Sequence, residues 1–355
     1  MRPSMNRGTI AASAEVLPTP EAIDAAFTSS RIQGLEGDPD DDAALLAHGR
    51  GELTSGETRQ RLIDRYSTRR RRTSTKDPYL LSTGALRNRL GISDPATLER
   101  AEKGLVDLRM ARIDIDGPRG AYTFARLKET HRYLFQDLYD WAGEARTVTL
   151  AKAGFDRRAC TAFARPADIE PIGHEIFGRL GERNALKGLS RPDFVDSVTG
   201  LFADVNMLHP FREGNGRTQE AFVKAIGCDA GHPIDLGAVT LERMIRVSID
   251  ATGGDRTAMR QMFSEATDPR QVGILNAAIA AIATRLHDWN ERFIAITTPG
   301  QHYEGVLAGV SRQGDTFLFR TDVEIFVGWA RDLPASARSG DRIAFGARGA
   351  PSRVA

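Results

Sequence analysis

Apolar positions recur at three- and four-residue steps through most of the chain, and this spacing predicts a mainly α protein. Phe194, Val198, Leu201, Val205 and Leu208 line one stripe of a helix running from Arg191 to about Leu208. Ser190 is placed to cap its start, with Pro192 in the first turn. Ile23, Ala26 and Phe27 share one face of a helix over Pro20–Ser30, and Glu21 and Asp24 suit its first turn. Two further helical pieces follow, at roughly Asp41–Ala47 and Ser55–Arg70, the second with the capping-box spacing of Thr54 and Glu57. Pro95–Ala111 and Phe124–Leu138 also read as helices, and Arg217–Ile226 carries Ala221, Phe222 and Ala225 on one side. A last helix spans Asp268 to about Phe293, apolar at Ile274, Ala278, Ile282 and Leu286, and leads away from the domain before it.

The period changes in two places. Arg146–Lys152 alternates like a strand, with Ala153-Gly154 as a turn and Ala159–Phe163 as the return. Near the end, Tyr303–Val310, Thr316–Arg320, Ile325–Trp329 and Arg342–Phe345 read as short strands, forming a small β-barrel or OB-like sheet. The chain therefore divides into a disordered tail (1–19), a helical segment (20–72), a helical domain (77–268), a connecting helix (269–297) and a β-rich module (298–355). The short helices of 20–72 cannot make a core alone and are expected to pack on something larger.

Composition narrows the class. With 355 residues, 41% of them hydrophobic, the chain can bury a sizeable core, and a net charge of +1 gives no case for bulk nucleic-acid binding. Arg69–Arg72 reads as an exposed linker. Cys160 and Cys228 form neither a disulfide framework nor a zinc spacing, so a reducing compartment is expected. No apolar run approaches membrane-spanning length, and the start lacks the continuous apolar segment of a secretory leader.

The chemistry concentrates in Leu208-His209-Pro210-Phe211-Arg212-Glu213-Gly214-Asn215-Gly216-Arg217. Gly214, Asn215 and Gly216 open a helix, so their N–H groups lack helical partners and, with Arg217, form a site for phosphates. Glu213 stands at its rim, where a carboxylate near phosphates holds Mg2+. His209 is the natural general base.

This stretch resembles the Fic (Fido) family signature H-P-F-x-[DE]-G-N-G-R-x-x-R, matching from His209 to Arg217 and departing at Glu220, where the family has a second Arg. Leu134-Phe135…Leu138-Tyr139-Asp140-Trp141-Ala142-Gly143…Arg146 resembles the same family. The resemblance implies a class I-like Fic fold that transfers AMP from ATP to a Ser, Thr or Tyr hydroxyl of a target protein. His209 would take the hydroxyl proton, Glu213 would hold Mg2+ between α- and β-phosphates, and Gly214, Asn215, Gly216 and Arg217 would stabilise the phosphate charge. Phe211 is expected buried beneath the loop, and Asn206 to orient the site. The flap, Thr149–Phe163 and in particular Thr149, Leu150, Ala151 and Lys152, would align the target by main-chain pairing.

Two positions depart from the family. Ser29-Ser30-Arg31-Ile32-Gln33-Gly34 resembles the [ST]-x-x-x-E-[GN] motif of the antitoxins of class I Fic toxins, but Gln33 stands where the inhibitory Glu should be. Leu35–Pro39 and Gly51–Thr54 continue that likeness. The helix is expected to dock beside the anion loop and restrain the enzyme, with the Gln33 amide donating to the Glu220 carboxylate. Glu220 is also expected to repel a triphosphate tail, since two unit charges about 4 Å apart cost about 4 kcal/mol at an effective dielectric near 20. A donor with a CDP-linked group, or a pseudoenzyme that only binds, are therefore the other readings. By the same resemblance the target is a type II topoisomerase and the location the bacterial cytoplasm, or another cell reached through a secretion system.

Overall fold

The computed structural model describes residues 15–68, 77–153, 160–311 and 313–348. Residues 1–14 of the expected tail, the Arg69–Arg72 linker and the turn at Gly154 lie outside them. The rest of the tail is anchored rather than disordered: Glu15 accepts from the Ser55 N–H and pairs with Arg112, each at 3.0 Å.

The first helices are α1 (Pro20–Arg31), α2 (Pro39–Gly49) and α3 (Ser55–Tyr66). Each has a polar N-cap, and the Thr54–Glu57 capping box is formed. The third stops at Tyr66 rather than Arg70, because Ser67 turns to an extended conformation. These helices bury Ile23, Ala26, Leu45 and Leu62 against α4 (Pro95–Ala111), in one core with Leu134, Phe135 and Trp141. The short α5 (Ile113–Asp116) follows, then α6 (Phe124–Phe135), which ends three residues before the Leu138 read from the sequence.

The flap is shorter than its alternation suggested. β1 covers Ala151–Ala153 and β2 Cys160–Ala162, paired antiparallel with Ala151 opposite Ala162. Arg146–Leu150 is irregular, because Arg146 is drawn inward by contacts described below.

The second core is built by α7 (Ile169–Glu182), α8 (Arg191–Leu208), α9 (Asn215–Ala230), α10 (Leu241–Thr252) and α11 (Thr257–Ala266), with Phe124 and Leu127 of α6. Phe194, Val198 and Leu208 of α8 are buried at its centre, with Phe177, Phe222 and Phe263 around them.

Then α12 (Pro269–Ala283) ends ten residues before Phe293, and does not lead away. Phe293–Ile296, all buried, forms β3, parallel to a strand far along the chain. A continuous apolar run of that length is more readily satisfied in a covered strand than on one helix face. Strands β4 (His302–Val310), β5 (Thr316–Arg320), β6 (Glu324–Trp329) and β7 (Arg342–Gly346) lie close to their expected places, and the sheet order is β3-β6-β5-β4-β7. Helix α12 covers one face through Ile279 and Ile282 against Ile294 and Val327. On the other, Phe293, Leu307, Phe317 and Phe345 join the core of α8, so the module is fused to the helical domain by a common interior. Among the described residues no helix is long and apolar enough to cross a membrane.

Candidate active site

Helix α8 ends in a left-handed residue that is not glycine. His209 has φ 43° and ψ 61°, while its N–H still bonds the Val205 carbonyl at 3.0 Å. That conformation is sparsely populated for a residue with a Cβ, and the surroundings over-determine it. Its imidazole is buried, stacks on the Phe163 ring at 3.8 Å and 10°, and places Nδ1 3.3 Å from the Asn206 carbonyl. Asn206 thus meets His209 through its main chain.

The loop that follows is closed from within. The Asn215 side chain brackets Phe211, accepting from its N–H at 2.9 Å and donating to its carbonyl at 2.7 Å. Gly214 has φ 77°, and a Cβ there would overlap the Phe135 ring, so both backbone freedom and lack of volume are required. The Asn215 amide is consumed by this closure; what the residue offers a ligand is its N–H at the start of α9.

Arg217 is 2% exposed. Its Nη2 donates to Glu102, which also accepts from the Tyr139 hydroxyl, and its guanidinium lies over Phe135 at 4.9 Å. Nε and Nη1 have no hydrogen-bond partner among the described residues. A buried guanidinium with donors to spare is a standing demand for an anion. Burial opposes the charge, but Glu102 and Glu213 outweigh it, so the Arg217 pKa lies above its ordinary value. Burial pushes the Glu102 carboxyl up, against the pull of Arg217.

Glu213 has a half-exposed side chain folded back on its own loop. Oε1 accepts from the Gly214 N–H at 2.8 Å and lies 3.7 Å from Arg217 Nη2. Its carboxylate therefore stands where an oxygen of an incoming phosphate would be received. Arg212, on the same loop, pairs with Asp77 at 3.2 Å.

These groups open onto one cleft of about 240 Å³. The loop from His209 to Arg217 forms one wall, with Leu150, Ala151 and Phe163 on the flap side and Gln33 and Leu35 on the α1 side. Thr149 lies just ahead of β1, and Lys152 within it, its side chain outside the described residues.

The two departures fall differently from expectation. Gln33 does not pair with Glu220. Its amide sits against Gly216, so closely that a Cβ there would overlap it. Glu220 does not line the cleft: it is buried, accepts from the Ser29 hydroxyl at 2.7 Å and pairs with Lys224, also at 2.7 Å. Pointing at α1 and screened by a lysine one turn on, it is not the obstacle to a triphosphate that a bare carboxylate would be. Gly34 closes the end of α1 with φ 76°.

His131 was not singled out in the sequence. It is fully buried on α6, stacked between Phe211 (3.9 Å) and Phe135 (4.7 Å). The Gly143 N–H donates to Nδ1 at 2.8 Å, so Nε2 carries the proton and donates to the Glu213 carbonyl at 3.0 Å. Burial pushes its pKa down to about 3. A His on a buried stripe with Leu127 and Leu134 looks like packing, and only the phenylalanine two residues after His209 hinted at a partner.

The Fic/DOC family profile matches residues 121–226, which include α6, the flap, α8 and the anion loop. The Escherichia coli K12 protein named "Probable protein adenylyltransferase Fic" is 33% identical over 193 residues, 54% of this chain and 92% of that protein. The chain belongs to the Fic/DOC family.

Protein adenylyltransferase VbhT of Bartonella schoenbuchensis is 33% identical over 205 residues, 56% of this chain and 42% of VbhT. A Bartonella henselae protein adenylyltransferase is 28% identical over 283 residues, and the chain spans about half the length of these two relatives (42% and 51%). Among solved structures, the type IV secretion system effector protein BepA aligns with a TM-score of 0.67 at 26% identity, over 78% of this chain and 97% of BepA. The N-terminal Fic domain of a VirB-translocated Bep effector from Bartonella quintana, with bound ADP, aligns at 0.50 and 27% identity, over 55% and 97%.

Proposed function

We propose that this protein is an adenylyltransferase that moves AMP from ATP to a Ser, Thr or Tyr hydroxyl of a target protein, restrained by its own helix α1. The observation that carries this reading is the shared cleft of His209, the loop N–H groups and a buried Arg217 with unpartnered donors. The names of the relatives in E. coli and Bartonella agree with it.

The acceptor oxygen forms a bond to the α-phosphorus, the bridge to the β-phosphate breaks, and pyrophosphate leaves. His209 takes the acceptor's proton. The N–H groups of Gly214, Asn215 and Gly216, with Arg217, meet the charge that grows on the phosphate oxygens. Glu213 is held by one N–H and one long contact, so it would be able to turn outward to hold Mg2+. When bound, the ion would neutralise the diphosphate. β1 offers an edge against which a target strand can pair. Gln33 against Gly216 narrows the phosphate site and makes the docked state the restrained one.

A second reading has one observation in its favour. Among the described residues, the cations lining the cleft are Arg212, paired with Asp77, and Arg217. That set suits a diphosphate-linked donor, such as a CDP-linked group, as well as a triphosphate. Labelled ATP and labelled CDP-choline, each added with the full chain to a bacterial lysate, separate the two. The ATP label should pass to protein and vanish with His209→Ala; label from CDP-choline alone would overturn the assignment of donor. A band at the size of a type II topoisomerase subunit would identify the target expected from the family, and delivery to another cell is tested by following the chain in co-culture.

A further inference from the structure

We propose that Arg146 is a positioning residue that locks the flap hairpin to the His209 turn, so that base and target-docking edge move as one body. This rests on reading the cleft as the transfer site. Arg146 is 1% exposed, and its guanidinium fork reaches three separate segments. Nε donates to the His209 carbonyl at 2.8 Å, Nη1 to the Val148 carbonyl at 2.7 Å and Nη2 to the Ala164 carbonyl at 2.5 Å. Its own N–H donates to the Pro210 carbonyl at 2.8 Å.

The three acceptors explain the arrangement. Val148 leads into β1 and Ala164 follows β2, so the fork holds both roots of the hairpin. His209 is the left-handed residue whose imidazole faces the cleft. Two further links reinforce the joint: the Ala164 N–H donates to the Met207 carbonyl at 3.1 Å, and Phe163 stacks on the imidazole.

Burial pushes the Arg146 pKa down. A cation set among carbonyl dipoles is an expensive way to fill space, and an apolar side chain would do so at lower cost. What an apolar residue cannot do is satisfy three carbonyls on three segments in one plane. Lysine cannot either, since its donors radiate from a single atom.

The test uses the full-length protein with Arg146→Lys and Arg146→Gln, and three readouts: hydrogen exchange of the backbone amides, ADP affinity with Mg2+ by calorimetry, and labelling of a bacterial lysate from α-labelled ATP. In the lysine variant the amides of Phe163 and Ala164 should exchange at least about tenfold faster, while those of mid-α8 stay unchanged. ADP affinity should stay within about threefold, because the loop N–H groups and Arg217 are not touched, whereas labelling should fall about 100-fold, the scale expected for an ångström of misplacement. Unaltered flap exchange in Arg146→Lys overturns the proposal whatever the activity. Loss of ADP affinity in step with labelling also overturns it, since a merely structural role would give that result. Failure of the wild type to label protein or bind ADP refutes the reading of the cleft instead, and the exchange result still decides on Arg146. If neither variant folds, the wild type decides: the amides of His209 and Ala164 should open with one common protection, and independent opening overturns the joint.

Discussion

The Ser29 hydroxyl donates to Oε2 of Glu220 at 2.7 Å across 191 residues of sequence, while Lys224 holds Oε1 at the same distance. Both side chains at the Ser29–Glu220 contact are about 1% exposed. The carboxylate that replaces the family's arginine therefore anchors helix α1. Hydrogen bonds to a charged partner are worth about 1.5–3 kcal/mol, and leaving the charge short of a donor costs in the same range. Ser29→Ala should loosen α1 by that amount, seen as faster hydrogen exchange across Pro20–Arg31 and more labelling from ATP. Unchanged exchange in α1 would show that the contact carries no docking energy.

Gln33 offers a second handle on the same helix. Its amide rests on Gly216, at the N-terminus of α9, where negative charge is favoured by about 0.3–1 kcal/mol. Gln33→Glu should tighten the docked state and weaken ADP binding several-fold; Gln33→Ala should strengthen it. Calorimetry with ADP reads both, and equal affinities in the two variants would remove Gln33 from the restraint.

His209→Ala should abolish labelling while ADP affinity stays close to wild type, because the base acts in the transfer step and the anion loop is closed by Asn215. Glu213→Gln should instead raise the Mg2+ concentration needed for half-maximal labelling. Identical Mg2+ curves for wild type and variant would count against a metal role for Glu213.

His131 makes a pH signature. Its folded pKa, about 3, lies below the ordinary 6.5 because the ring is buried. The unfolded chain therefore takes up a proton that the folded one refuses as pH falls through 6.5. The contribution is full above pH 6.5 and is lost progressively down to about pH 3. With 1.36 kcal/mol per unit, about 2 kcal/mol should go between pH 7 and pH 5. Urea denaturation at the two pH values should show that loss in the wild type and a smaller one in His131→Gln. Equal pH dependence would mean that the ring titrates elsewhere.

Much of this was legible where local signals agree. Helices α4 and α8 combine a polar cap with a proline in the first turn, and their bounds agree with the sequence reading. Helix α7 was not read: Pro171, Gly173, Gly178 and Gly181 look like breaks, yet Gly173 is there because Phe124 packs where its Cβ would be. Helix α10 was not read either, although Met244, Val247 and Ala251 recur at helical steps; what the sequence does not show is that Arg243, 1% exposed, shares the inward face by pairing with Glu265. At the site, the loop chemistry could be placed from spacing alone. The orientation of Glu220 could not, since Lys224 is one turn away but Ser29 comes from the other end of the fold.

The end of α1 is held from a still greater distance. Arg31 donates to the carbonyls of Gly237 and Val239 and to Asn290, which returns a bond to the Arg31 carbonyl, and its guanidinium covers Trp289. On the ribosome this socket does not exist when Arg31 emerges. At about 5–20 residues per second, the 259 residues to Asn290 take about 13–52 s to make. The residues that line the cleft are complete at Arg217, so for the last 73 residues of that stretch, about 4–15 s, the cleft can exist while the socket for Arg31 does not.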